Sequence, residues 1–204
     1  MPRQAVALLV LCLSLFSAAP ALAQTWLVDS DHAQVLFTVR HVVGEVSGYF
    51  NEFTGQVEFD PGDPGNGRLD VQVIVSSLDT GAAQRDLHLL GPEFFDAGQY
   101  PTMRFVSEEI EDKGGGAYEA RGHLTVKDVS RSESLPFQII GTSRGVPGHG
   151  GSCTQIMGVR GRLTINRLDY NVGDGRYFDM GVAGDEVALT VRVELLRRIP
   201  DCVE

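Results

Sequence analysis

Apolar and polar residues alternate strictly in eight short runs of this chain. The apolar rows are Val35-Phe37-Val39, Phe53-Val57-Phe59, Leu69-Val71-Val73-Val75, Met103-Phe105, Tyr118-Ala120-Leu124-Val126, Leu135-Phe137-Ile139, Val159-Leu163-Ile165 and Val187-Leu189-Val191-Val193. Polar residues such as Gln56, Glu58, Arg121, Thr125, Arg160, Arg162, Thr190 and Arg192 stand between them. A period of two places successive side chains on opposite faces, so each run predicts a strand with one buried and one wet face. Eight such strands with almost no helix between them predict an all-β domain, either a closed antiparallel barrel or a two-layer sandwich.

One connection departs from the strand rhythm. Leu78 to Pro92 reads as a short amphipathic helix, with Asp79 or Thr80 as its cap, Leu87 and Leu90 on one face, and Gly91-Pro92 as its stop. Glu93-Phe94-Phe95-Asp96 follows, so the connection near residues 82–96 should lie across one end of the strands as a plug or lid. Elsewhere the punctuation is that of turns. Asp60-Pro61-Gly62-Asp63-Pro64-Gly65-Asn66-Gly67 cannot be regular structure, Lys113-Gly114-Gly115-Gly116 reads as a hairpin loop, and Gly145–Gly151 as a longer mobile one.

Small residues share the parity of the large apolar ones: Gly55, Ala120, Gly122 and Gly161. Either they leave the interior hollow, since a filled core packs at near crystal density, or they are bends and bulges needed for closure. An eight-stranded barrel is near the size at which side chains just fill the interior or admit one small ligand.

The N-terminus adds a destination. Arg3, the apolar stretch Ala5 to Phe16 and the small-x-small site Ala21-Leu22-Ala23 read as a secretory signal peptide over residues 1–23, cut before Gln24. Residues 24–204 then form one exported domain, and no stretch is long enough to span a membrane as a helix. The net charge of −10 becomes more negative when Arg3 leaves. Nucleic acid is an unfit partner for such a surface, because phosphate binding needs clustered Lys and Arg. Cys12 departs with the signal, leaving Cys153 and Cys202 in an oxidising compartment, where a disulfide is expected. Closing so long a loop contributes roughly 4 kcal/mol at most. A metal pair formed by His149 and Cys153 is the alternative, with too few ligands for a structural zinc.

Three constellations could carry chemistry. Gly141-Thr142-Ser143-Arg144-Gly145 matches a nucleophile elbow, but Pro147 and glycines follow where a helix is required, and no acid separates Ser143 from His149. Arg85, Asp86 and His88 form the densest polar cluster, readable as local bonds fixing the helix or as contacts to a ligand head group. His32, His41 and His88 make a metal site only if the fold gathers them.

The most specific blocks are Leu78-Asp79-Thr80-Gly81, Arg85-Asp86 with His88-Leu89, Phe94-Phe95-Asp96 and Tyr100-Pro101-Thr102-Met103-Arg104-Phe105. With Asp31-His32 through Arg40-His41, Gly48 to Gly55, and Ile165-Asn166-Arg167 with Asp169-Tyr170, they run over nearly the whole mature chain. In these blocks the chain resembles the YceI-like family of exported, lipocalin-like isoprenoid-binding proteins. The resemblance implies an extended eight-stranded antiparallel barrel in the periplasm, with no catalytic residue, no metal and no cofactor beyond a bound isoprenoid or quinone lipid. It allows a homodimer. On that reading Phe37, Phe53, Phe59, Phe94, Phe95, Met103 and Phe105 line the cavity, and Arg85 and His88 meet the head group.

Two other classes compete with a carrier. An enzyme acting on such a lipid would use Arg85, Asp86 and His88, yet no nucleophile, phosphate loop or cofactor motif accompanies them. An outer-membrane barrel shows the same alternation with its faces reversed. Against it stand a single Trp, no aromatic girdles, and Gly and Ala on what would be the lipid-facing rows.

Overall fold

Each of the eight alternating runs lies on a strand, with Phe59 and Val75 one residue past the ends of theirs, and the strands close on themselves. The structure is a computed structural model that describes residues 24–147, 153–200 and 202. The expected signal peptide, most of the Gly145–Gly151 loop and His149 lie outside those residues. Strands β1 (Thr25–His41), β2 (Gly44–Phe50), β3 (Phe53–Glu58), β4 (Arg68–Ile74) and β5 (Leu78–Asp79) precede helix α1 (Ala83–Leu90). Then follow β6 (Thr102–Gly114), β7 (Ala117–Val126), β8 (Val129–Thr142), β9 (Val146–Pro147), β10 (Cys153–Asn166), the short helix α2 (Arg176–Asp179) and β11 (Ala183–Ile199).

Neighbours pair in the order β11-β10-β8-β7-β6-β4-β3-β1, and β1 pairs back onto β11. Every pairing is antiparallel. The result is a closed eight-stranded barrel, in which β2 and β3 form one broken stave. Val35–His41 of β1 pairs with β2, and Thr25–Leu27 pairs with β3. Ser77 stabilises the break: its Oγ accepts from the N–H groups of Asn51 and Glu52, each at 3.2 Å, and donates to the Ile74 carbonyl. Closure also uses a bulge in β1, where Asp29–His32 face the single residue Glu194 of β11.

The apolar rows point inward and charged pairs decorate the outside. Arg104 meets Asp70 across β6 and β4 at 2.6 Å, holding the Asp70 carboxyl below the usual carboxylate range. Arg121 meets Glu111 and Glu119 on the same outer surface. One end of the barrel is filled by Trp26, Phe59, Tyr118, Phe137, Met157 and Leu195. Trp26 Nε1 donates to the Phe59 carbonyl at 2.9 Å, satisfying the buried indole. At the other end α1, α2 and the turn after β10 pack around Phe94, Val126, Tyr170 and Val172.

The small residues divide between the two expectations. A Cβ on Gly122 would strike the Val106 carbonyl and lie 2.6 Å from the Ser107 Cα; one on Gly55 would strike the Asp70 carbonyl and lie 2.8 Å from the Val71 Cα. Both glycines mark a close approach of neighbouring strands, and neither opens space inside. Ala120 is fully buried in the filled end. Gly161 alone of the four borders the interior cavity.

Two helix expectations also change. Ala82 is the N-cap, with no side-chain cap bond; Asp86 instead accepts from the Thr80 N–H at 3.0 Å and from the Thr80 hydroxyl. Leu87 is 66 % exposed, and the inward face of α1 carries Leu89 and Leu90. The side that turns inward is set by where α1 docks, which spacing within the helix does not specify. Gly91 ends the helix as expected.

Cys153 and Cys202 are bridged, with Cα atoms 5.3 Å apart and a sequence separation of 49. The bond ties the C-terminal end to the start of β10. Purified mature protein, denatured without reductant, should therefore show no titratable thiol; two thiols per chain would refute the bridge.

Candidate ligand-binding cavity

Between the filled end and the helical end the barrel is hollow. The cavity measures about 400 Å³, within the range of small-molecule sites. It runs from Phe59, Phe137 and Met157 to a mouth at His41, Val46, Tyr177 and Val182. Its wall comes from the inward rows of every stave, because a side-chain period of two sends one whole face of each strand to the interior. All seven expected residues line it: Phe37, Phe53, Phe59, Phe94, Phe95, Met103 and Phe105.

Phe94 and Phe95 reach it through a tight turn after α1. The Phe94 N–H donates to the Gly91 carbonyl at 3.1 Å, the Asp96 N–H to the same carbonyl at 2.9 Å, and the Phe95 N–H to the Leu89 carbonyl at 3.0 Å. This folding back sends adjacent rings to different neighbours. Phe95 meets Phe50 edge-on at 5.7 Å, whereas Phe94 stacks on Tyr177 at 5.8 Å and meets the His88 ring at 5.1 Å. Lys127, in the β7–β8 turn, clamps the segment by donating to the carbonyls of Phe94 and Asn171.

Arg85 and His88 border the cavity; Asp86 does not. Arg85 donates through Nε to the Thr80 hydroxyl and through Nη2 to the Thr80 carbonyl, each at 2.8 Å. With Asp86 also on Thr80, two of the three cluster residues staple α1 to the turn before it. His88 Nε2 lies 2.7 Å from Glu93, which also pairs with Arg176. The cluster thus supplies two cavity-facing basic groups and no convergent acid–base set.

The three histidines separate. His41 and His88 line the cavity, while His32 lies on the β1 bulge, 3.0 Å from Asp29, whose hydrogen bond raises the imidazole pKa. Among the described residues, the group with metal-ligating spacing is Asp29, His32 and Glu194. Ser143 is no elbow nucleophile: its N–H donates to the Ile156 carbonyl and its Oγ accepts from the Ile156 N–H, each at 2.8 Å, as part of sheet pairing.

The wall residues that the sequence reading did not name as site residues include Phe50, Arg167, Tyr170 and Tyr177. Tyr170 and Arg167 are 1 % and 7 % exposed. The Tyr170 hydroxyl donates to Glu133 at 2.6 Å; burial, and then that carboxylate, push its pKa well up, so it stays a donor. The available signal was the Ile165-Asn166-Arg167 block with Asp169-Tyr170, which puts an arginine and a tyrosine directly after β10.

The barrel, its helical cover and its apolar cavity coincide with a known family. A family model described as YceI-like domain matches residues 26–195. This chain belongs to the YceI family. A UPF0312 protein of Pseudomonas aeruginosa (strain LESB58) is 30% identical over 201 residues, covering 97% of this chain and 100% of the relative. UPF0312 protein PC1_2518 of Pectobacterium carotovorum is 32% identical over 187 residues, covering 90% and 92%. Among solved structures, Burkholderia cenocepacia BcnA superposes with a TM-score of 0.70 at 29% identity, over 82% of this chain and 98% of that one. A polyisoprenoid binding domain from Saccharophagus degradans, implicated in plant cell wall breakdown, gives 0.57 at 12% identity, over 85% and 98%. That last likeness speaks to fold alone.

Proposed function

We propose that this protein is an exported binding protein that holds a polyisoprenoid or isoprenoid-quinone lipid inside its barrel. The observation that carries the reading is the long cavity walled by Val, Leu, Ile and Phe side chains along the barrel's length. An apolar chain is the ligand that such a wall can desolvate without leaving polar groups unmet. Each buried methylene contributes about 0.8 kcal/mol, so one isoprene unit contributes about 3 to 4 kcal/mol before costs. Freezing the flexible tail offsets part of this, and affinity should rise with length less steeply than the sum. The Saccharophagus domain, named for polyisoprenoid binding, shares this fold.

The reading includes cleavage before Gln24, periplasmic location and no catalytic step. Protein purified from periplasm without detergent, then extracted with organic solvent, should release a long isoprenoid detectable by mass spectrometry. Its N-terminus should be Gln24. A barrel that releases no lipid, and that binds no polyprenyl chain of any length in vitro, would overturn the proposal.

A further inference from the structure

The Arg and His side chains in the cavity wall are His41, Arg85, His88, Arg104, Arg167 and Arg192; no aspartate or glutamate lines the cavity among the described residues. This occurs in a chain with 27 acidic residues against 17 Lys and Arg. Arg104 and Arg192 belong to the outward parity of their strands, and Arg104 is held by Asp70. His41, Arg85 and His88 are exposed around the mouth. Arg167 alone is buried.

Two of the three nitrogens of the Arg167 guanidinium have partners. Nε donates to the Gly184 carbonyl at 2.8 Å and Nη1 to the Val172 carbonyl at 2.7 Å. Nη2 is buried and has no hydrogen-bond partner among the described residues. None of the ion pairs among those residues includes Arg167; the nearby carboxylates, Asp185 and Asp174, act on it only at longer range. Burial pushes its pKa down, the direction expected of a charge that lacks a counter-ion. Gly173 flanks it: a Cβ there would strike Nη1 and touch the Phe94 ring at 3.4 Å, so the cation sits beside the Phe94 turn. Through Phe94 it is one ring removed from His88.

A buried cation held by two neutral carbonyls is costly unless an anion joins it, and Arg167 borders the cavity with Nη2 still without a partner among the described residues. We infer that Arg167 is the head-group anchor of this cavity and selects isoprenoid lipids with an anionic phosphate end over neutral alcohols and quinones. The inference rests on the lipid-binding reading above and adds the charge of the ligand's polar end. The phosphate oxygens accept from Nη2 at the helical end of the barrel, with the exposed Arg85 supplying long-range attraction. The tail runs along the apolar wall toward Phe59 and Met157.

The test compares a polyprenyl phosphate with the polyprenol of equal chain length, both offered to delipidated protein at neutral pH. Wild type should bind the phosphate at least about tenfold more tightly, the size of a charged hydrogen bond. Arg167→Met should bind the two ligands equally, whatever its overall affinity; Arg167→Lys should keep a reduced preference. In wild type the guanidinium ¹⁵N resonances of Arg167 should shift with the phosphate and stay put with the alcohol, a readout that needs no variant to fold. Equal affinities in wild type, an unmoved Arg167 resonance, or a folded Arg167→Met that still prefers phosphate would each overturn the inference while lipid binding stands. Binding of neither ligand would remove both this inference and the reading beneath it.

Discussion

Gly122→Val is expected to yield no folded barrel. The added Cβ would occupy the space of the Val106 carbonyl and press on the Ser107 backbone, in the neighbouring strand β6. Backbone cannot rotate out of the way as a side chain tip can, so the β6–β7 pairing must open. That places the cost above the roughly 1 to 3 kcal/mol typical of overpacking a core. Gly161→Val is the informative contrast. A Cβ there meets only ordinary or slightly tight contacts, 3.1 Å to the Leu135 side chain and 3.4 Å to the Pro136 carbonyl, and it borders the cavity. This variant should fold, with a modest fall in melting temperature and a loss of affinity for long-tailed isoprenoids. Circular dichroism and thermal melts of both variants decide the matter. A stable Gly122→Val barrel would show that the strands separate more easily than the register implies.

Phe94→Ala should cost about 3 to 5 kcal/mol, the range for emptying a buried aromatic site. Phe94 is 7 % exposed, packs with Val126, Tyr170 and Val172, and stacks on Tyr177. Its removal would also loosen the turn clamped by Lys127. Phe95 is less buried and sits over the central Phe37–Phe50–Phe53 cluster, so Phe95→Ala should cost less stability and more binding. The two rings are therefore expected to have separable roles, a plug and a gate. Melting temperatures measured beside affinities for isoprenoids of graded tail length should show it. Phe95→Ala should weaken long tails and spare short analogues; the folded fraction of Phe94→Ala should show little dependence on length. Identical length profiles for Phe95→Ala and wild type would end the gating role.

The eight staves, their inward parity and part of the cavity's aromatic wall were legible in the chain by itself. They follow from a local property, the two-residue period, which assigns Phe37, Phe53, Phe59, Met103 and Phe105 to one face whatever the strands pair with. The cysteine pairing was expected on other grounds: with Cys12 assigned to the expected signal peptide, Cys153 and Cys202 have one intramolecular partner each. Tertiary structure decided the rest. Gly55 and Gly122 look like vacancies in an apolar row, and only the approach of Asp70 and Val106 from other strands shows them to be contact points. Leu87 and Leu90 share a helical face in isolation, yet docking turned Leu89 and Leu90 inward. Arg167 is one arginine among many until the fold brings Gly184 and Val172 to two of its nitrogens and leaves the third without a partner. Each of these depends on groups far apart in sequence meeting at ångström distances, and a local pattern carries no record of such meetings.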